Sequence, residues 1–142
     1  MTNAEYTHIA GTILRDSQDR YLMIQERLPS AYGLWNIPAG HQDSDETEQE
    51  AAVRETYEET GLKVELLDGH PINSETSEEE GHKYFAFLGK IVDGELKIQE
   101  TEILNAKWMA FPEIKQLYED GKVRSPWIMN SIQKAEDAYS RH

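Results

Sequence analysis

Gly40-His41-Gln42-Asp43-Ser44-Asp45-Glu46-Thr47-Glu48-Gln49-Glu50-Ala51-Ala52-Val53-Arg54-Glu55-Thr56-Tyr57-Glu58-Glu59-Thr60-Gly61-Leu62 is the stretch around which the chain can be read. Thr47 and Glu50 have the spacing of a capping box, so a helix is expected to start at Thr47. Gly61 is well placed just past its end, after about four turns. Glu55, Glu58 and Glu59 stand at i, i+3 and i+4 and share an arc of roughly 100°. Ala52, Val53, Thr56 and Thr60 fall on another side, where they would form a narrow buried face. Arg54 precedes Glu58 by one turn and can pair with it. Three carboxylates on one face repel one another, and one arginine does not neutralise them. A hard divalent cation such as Mg²⁺ or Mn²⁺ would, because it prefers carboxylate and carbonyl oxygens. On the helix alone, a solvated acidic face is the better reading.

The spacing of the whole stretch changes that balance. Gly40, five residues, Glu46, seven residues, then Arg54-Glu55-Thr56-x-Glu58-Glu59-x-Gly61-Leu62 resembles the Nudix box, Gly-x5-Glu-x7-Arg-Glu-U-x-Glu-Glu-x-Gly-U, with U a bulky aliphatic residue. Only Thr56 departs from it, at a position that concerns packing and not chemistry. The motif covers 23 of the 142 residues.

Composition sets the outer limits. The length suits one domain spanning 1–142. Hydrophobic residues at 38% and charged residues at 29% fit a globular protein. No apolar run approaches the roughly 20 residues of a membrane span, and the N-terminal Met1-Thr2-Asn3-Ala4-Glu5-Tyr6 lacks a signal-peptide character. With no cysteine there is no disulfide, zinc-thiolate site or thiol nucleophile. A cytoplasmic location is expected. The formal net charge of −13 argues against nucleic-acid binding, which needs a basic surface. An acidic site binds a phosphorylated substrate only with metal ions between them, so charge and carboxylate cluster ask for the same cofactor.

In chain order, His8 to Leu14 reads as a strand, Asp16 to Asp19 as a turn, and Tyr21 to Gln25 as the antiparallel partner in a hairpin. Glu26 to Gly33 reads as loop, and Leu34 to Gly40 as a short extended segment delivering Gly40 to the helix. Lys63 to Asn73 reads as another strand, Ser74 to Gly81 as an acidic loop, and His82 to Val92 as a central strand. Asp93-Gly94 signals a hairpin, with Leu96-Lys97-Ile98 returning. Ala106 to Phe111 reads as a strand, Pro112 as the start of a short helix that Gly121 closes, and Ser125-Pro126 as the start of an amphipathic final helix. Strands interleaved with helices suggest a mixed sheet covered on both faces. The Nudix resemblance implies the same α/β fold, an α/β/α sandwich.

Within the family, Leu34-Trp35-Asn36-x-Pro38-Ala39-Gly40-His41 and Arg124-Ser125-Pro126 resemble the small bacterial NudJ-type phosphatases. The resemblance implies metal-assisted hydrolysis of a phosphoanhydride in a nucleoside di- or triphosphate or a similar small diphosphate. Glu55, Glu58, Glu59 and the Gly40 carbonyl would hold Mg²⁺ or Mn²⁺. Arg54 would orient the carboxylates and Glu46 would brace the loop. Glu55 and Glu102 are rival candidates for the general base, with Glu100 behind Glu102. Arg27, Arg124 and Lys83 are candidates for a distal phosphate, and Trp35 and Tyr32 for stacking on a ring. Trp127 fits core packing better, and His41 reads as a loop residue. The expected partner is a small phosphorylated substrate, with no nucleic acid or membrane, and the chain acting as a monomer or homodimer. The alternatives are a pyrophosphatase of ADP-ribose or nucleoside-diphosphate sugars, and a catalytically inactive binding module.

Overall fold

The computed structural model describes residues 5–141. In chain order it contains β1 (Thr7–Leu14), β2 (Arg20–Glu26), a 3-10 turn (Pro29–Ala31), β3 (Trp35–Asn36), β4 (Ala39–His41), α1 (Glu48–Thr60), β5 (Leu62–Leu66), β6 (Asn73–Ser77), β7 (His82–Gly94), β8 (Ile103–Ala110), α2 (Phe111–Glu119) and α3 (Pro126–Tyr139). One sheet runs β4-β1-β7-β5, with β6 also on β7, and a second runs β3-β2-β8. Strands β1 and β7 are parallel, and the other pairs are antiparallel. Among the described residues no helix is long and apolar enough to cross a membrane.

Alternation along β1 and β7 explains the layers, since successive side chains on a strand point to opposite faces. Ala10 and Phe87 pack with Ala51 and Ala52 of α1. Ile13, Tyr84 and Ala86 pack with Trp127, Ile128 and Ile132 of α3. The sheet therefore lies between α1 and α3, giving the α/β/α architecture that the box implied.

Thr56, the residue that departs from the aliphatic pattern, is fully buried against β1. Its hydroxyl donates to the Ala52 carbonyl at 2.7 Å and lies 2.7 Å from the Thr12 hydroxyl, which is also fully buried. The single Thr56 proton is committed to Ala52, so Thr12 is the donor in the pair. The polar substitution on the helix is thus matched by a polar residue on the strand.

Three expectations are corrected. The turn at Asp16 forms, with Asp16 Oδ1 accepting from the N–H groups of Gln18 and Arg20 at 2.9 Å each. Beyond one bridge from Arg15 to Tyr21, however, β1 and β2 part, because β4 and β7 already hold both edges of β1. Asp93-Gly94 makes no hairpin; β7 runs to Gly94 paired with Leu62. The segment that follows donates from Lys97 and Gln99 N–H to the carbonyls of Thr60 and Glu59, at 2.7 and 3.1 Å. These carbonyls have no partner inside the helix, which is why the segment serves the end of α1 instead of forming a strand. Ser74 to Ser77, read as loop, belongs to β6, where buried Asn73 anchors the strand by donating to Ser131 at 3.0 Å. At the margins, Phe111 starts α2 and does not end β8, and Lys63 to Asn73 is not one strand: β5 ends at Leu66 and β6 begins at Asn73, each pairing with a different stretch of β7.

Thr56→Val leaves the buried Thr12 hydroxyl without its acceptor, an expected loss of about 1–3 kcal/mol of stability. The Thr12→Val/Thr56→Val double variant is expected to recover most of that loss, because both polar partners leave together. Urea unfolding of the four proteins measures the cycle, and additive losses would show that the pair is not coupled.

Candidate active site

Helix α1 is seated by its ends. The Thr47 hydroxyl accepts from Glu50 N–H at 3.1 Å while Thr47 N–H donates to Glu50 Oε1 at 2.9 Å, completing the capping box. Gly61 takes a left-handed conformation with φ of 76°, and its N–H donates to the Tyr57 carbonyl at 2.8 Å. Between these ends, Arg54 donates from Nε and Nη2 to the two oxygens of Glu46 at 2.9 and 2.7 Å. Its Nη1 reaches both Glu55 and Glu58 at 3.0 Å, and Nη2 also reaches the His41 carbonyl at 2.9 Å. The Arg54 bonds, with a further one from Asp43 N–H, hold the Glu46 carboxyl down at about 2. Glu46 and Arg54 thus brace the loop before α1.

The three clustered carboxylates differ in environment. Glu58 is exposed. Glu55 is half-buried, and its carboxylate lies so close to Gly40 that a Cβ there would clash with Cδ and Oε2. Only glycine permits that approach. Glu59, placed on the solvated face by the helical reading, is buried at 7% exposure. It accepts one bond, from Ala39 N–H at 3.0 Å, and has no cationic partner among the described residues. Burial pushes the Glu59 carboxyl well above its ordinary value, with Glu55, Glu26 and Glu102 adding repulsion against the Ala39 bond. Burial also raises Glu55, opposed by Arg54.

Glu55 and Glu59 sit at the floor of a cleft of about 730 Å³ that Gly40, Glu26, Glu102 and Arg124 also line. Arg27 and Trp35 do not line it. Their backbones instead hold two residues that do. Arg27 N–H donates to the Glu102 carbonyl at 2.8 Å, and Arg124 N–H donates to the Trp35 carbonyl at 2.9 Å. Lys83, Tyr32 and Glu100 are likewise outside the lining, whereas His41 and Trp127 are part of it. Sequence reading missed Glu26, which the structure buries at the end of β2. Its Oε2 accepts from Arg124 Nη1 at 2.8 Å and from Asn36 Nδ2 at 3.0 Å. The available signal was a carboxylate one residue beyond the apolar run of a strand, on the same face as buried Ile24. Glu80, His82 and Tyr84 also line the cleft unforeseen.

The donor set of Glu55, Glu58, Glu59 and the Gly40 carbonyl consists of hard oxygens, and the buried Glu59 lacks a counter-charge, so these residues fit a hard divalent cation. Among the described residues no three acidic or histidine side chains already converge as a ligand set. Arg54 holds Glu55 and Glu58, and of the three carboxylates Glu58 alone does not line the cleft.

A family model described as the NUDIX domain matches residues 5–130, and the chain belongs to the Nudix family. Its fold and box are those of a Nudix hydrolase. Phosphatase NudJ of Escherichia coli K12 is 29% identical over 136 residues, covering 88% of this chain and 80% of that protein. The 8-oxo-dGDP phosphatase NUDT18 of Danio rerio is 34% identical over 106 residues, covering 71% of this chain but only 31% of its own length. The chain therefore spans under a third of that relative. A solved NUDIX hydrolase structure from Nitrosomonas europaea superposes with a TM-score of 0.75 at 27% identity, covering 94% of this chain and 90% of that one.

Because the folded state raises the Glu59 pKa, the metal-free fold keeps a protonated Glu59 at low pH and loses stability as pH rises from the ordinary carboxylate value through the raised one. Glu59→Gln, which keeps an acceptor for Ala39, is expected to raise the melting temperature in EDTA, with a gain that grows from about pH 4.5 toward pH 7. Thermal unfolding across that range measures it. A gain that does not change with pH would mean that Glu59 is solvated like a free carboxylate.

Proposed function

We propose that the chain hydrolyses a phosphoanhydride bond in a nucleoside di- or triphosphate, or a similar small organic diphosphate, using Mg²⁺ or Mn²⁺. The observation that carries this reading is the buried Glu59 carboxylate, beside Glu55 and without a cationic partner among the described residues, at the floor of a cleft that also holds an arginine. Membership of the Nudix family and likeness to proteins named as phosphatases of that family support it.

Glu55, Glu58, Glu59 and the Gly40 carbonyl are the proposed ligands. Bound there, the ions would neutralise phosphate oxygens and lower the pKa of a water for in-line attack on phosphorus. Arg54 sets the direction of Glu55 and Glu58 through the bonds it makes to both. Glu55, raised by burial and packed against Gly40, suits proton abstraction, while Glu102 faces the same cleft and is its rival. Arg124, fixed on one side by Glu26, is the proposed contact for the distal phosphate. The acidic floor and this single arginine favour a compact substrate.

Glu58→Gln is expected to remove nearly all turnover while leaving the fold intact. Mg²⁺ should raise the melting temperature of the wild-type protein, since a ligand bound only by the folded state stabilises it. The rise should largely vanish in Glu58→Gln; equal shifts in both proteins would show only general screening of the acidic surface.

Rates separate the two candidate bases. Glu55→Gln should lower kcat and weaken metal dependence together, and Glu102→Gln should lower kcat by roughly 10²–10⁴-fold at saturating metal. Full kcat in Glu102→Gln would make that residue a bystander. On a substrate panel, nucleoside di- and triphosphates or a pyrimidine diphosphate should be cleaved in preference to ADP-ribose and NADH. Preference for ADP-ribose with AMP as product would overturn the substrate reading.

A further inference from the structure

The cleft has a second chemical character on its β7 and α3 side. The rings of Tyr84 and Trp127 stack there, 4.7 Å between centroids and 19° between planes. The Tyr84 hydroxyl donates to Glu80 Oε1 at 3.0 Å and lies 3.1 Å from His82 Nδ1. Glu80, His82, Tyr84 and Trp127 all line the cleft. Burial and the Glu80 bond push Tyr84 up to about 12, so its proton stays on.

That chain of bonds fixes where the hydrogens are. An ionised carboxylate has no proton to give, so the one hydroxyl proton of Tyr84 lies toward Glu80. The Nδ1 of His82 must then carry hydrogen and donate to Tyr84, and with that single ring proton Nε2 is a bare acceptor. Neither Nε2 nor the second oxygen of Glu80 has a hydrogen-bond partner among the described residues. Donors of the trio are used internally, and its acceptors remain. One of them is a carboxylate oxygen of Glu80, which disfavours a phosphate directly beside it, while Arg124, whose charge also acts on Tyr84, is the cation of this side.

Strand register gives the spacing. Ile9 pairs with His41 on one side and with Tyr84 on the other, so Tyr84 stands two strands from the residue following Gly40, roughly 10 Å. A phosphate chain held at Gly40 and Glu55, with Arg124 on its distal phosphate, would leave an attached ring to the Glu80 and His82 acceptors.

We infer that this end of the cleft selects heterocycles bearing an amino group, guanine over hypoxanthine and cytosine over uracil. The inference rests on the proposed hydrolase reading and narrows its substrate. An amino group gives N–H donors to Glu80 and His82, and a bond to the carboxylate is charge-assisted. A ring with a carbonyl or a bare C–H in its place keeps at most one ring N–H nearby, so one of the two acceptors stays unmatched, and sites built to pair a donor discriminate against analogues that lack it.

The test compares GDP with IDP, and CDP with UDP, as substrates with Mg²⁺. Each pair differs at the amino position. Wild-type kcat/KM should favour the amino-bearing member by about tenfold or more, carried mainly by KM. Glu80→Gln, on an exposed turn and so without consequence for folding, should shrink the preference to roughly threefold or less. Equilibrium binding of GMP and IMP to the same two proteins keeps the outcomes distinct. Turnover of both members at equal kcat/KM, or a preference unchanged in Glu80→Gln, overturns the inference and leaves the hydrolase reading standing. Selective binding of GMP, lost in Glu80→Gln, without turnover of any diphosphate supports the inference and overturns the hydrolase reading. Neither turnover nor binding overturns both.

Discussion

Arg54 donates from all three of its nitrogens, clasping Glu46 with two of them, reaching Glu55 and Glu58 with the third, and still holding the His41 carbonyl. A planar guanidinium can do this, and the compact ammonium of lysine cannot. Through these bonds the loop after β4, the first turns of α1 and the carboxylates of its exposed side become one assembly. The Glu55 carboxylate, held by Arg54, lies where a Cβ on residue 40 would stand, so glycine there lets the carboxylate approach the backbone of β4.

The split of the strands into two sheets has a similar local cause and a wide effect. With β4 and β7 on its two edges, β1 cannot pair with β2 beyond the turn, so β2 joins β3 and β8. That arrangement brings Glu26 from the end of β2, Arg124 from the segment before α3 and Glu102 from before β8 to the same cleft as α1. The bonds from Arg27 to Glu102 and from Arg124 to Trp35 are made by backbone, and the Trp35 side chain packs against the core.

The site is also electrically divided. Glu59 has been forced into the interior next to other acids, a costly arrangement for a group without a counter-ion. Among the described residues its one hydrogen bond comes from the Ala39 backbone. Glu26, by contrast, is buried with both an arginine and an amide as partners. The difference between two buried glutamates, one matched and one unmatched, separates a support for Arg124 from a place that asks for a cation.

By itself the sequence determined the helix of the box, its capping residues, the glycine that ends it and the identity of the clustered acids, because those depend on neighbours within one or two turns. It also determined β1, β7 and α3, whose apolar periods are long enough to read. It did not reveal that Glu59 is buried while Glu58 is exposed, since the same helical arc holds both and only the position of β4 divides them. The course of β2, the service of Lys97 and Gln99 to the end of α1, and the meeting of Glu26, Arg124, Tyr84 and Glu80 around one cleft rest on strand pairing between distant segments. Such pairing depends on which edges are already taken, a property of the assembled sheet and of no single stretch of chain.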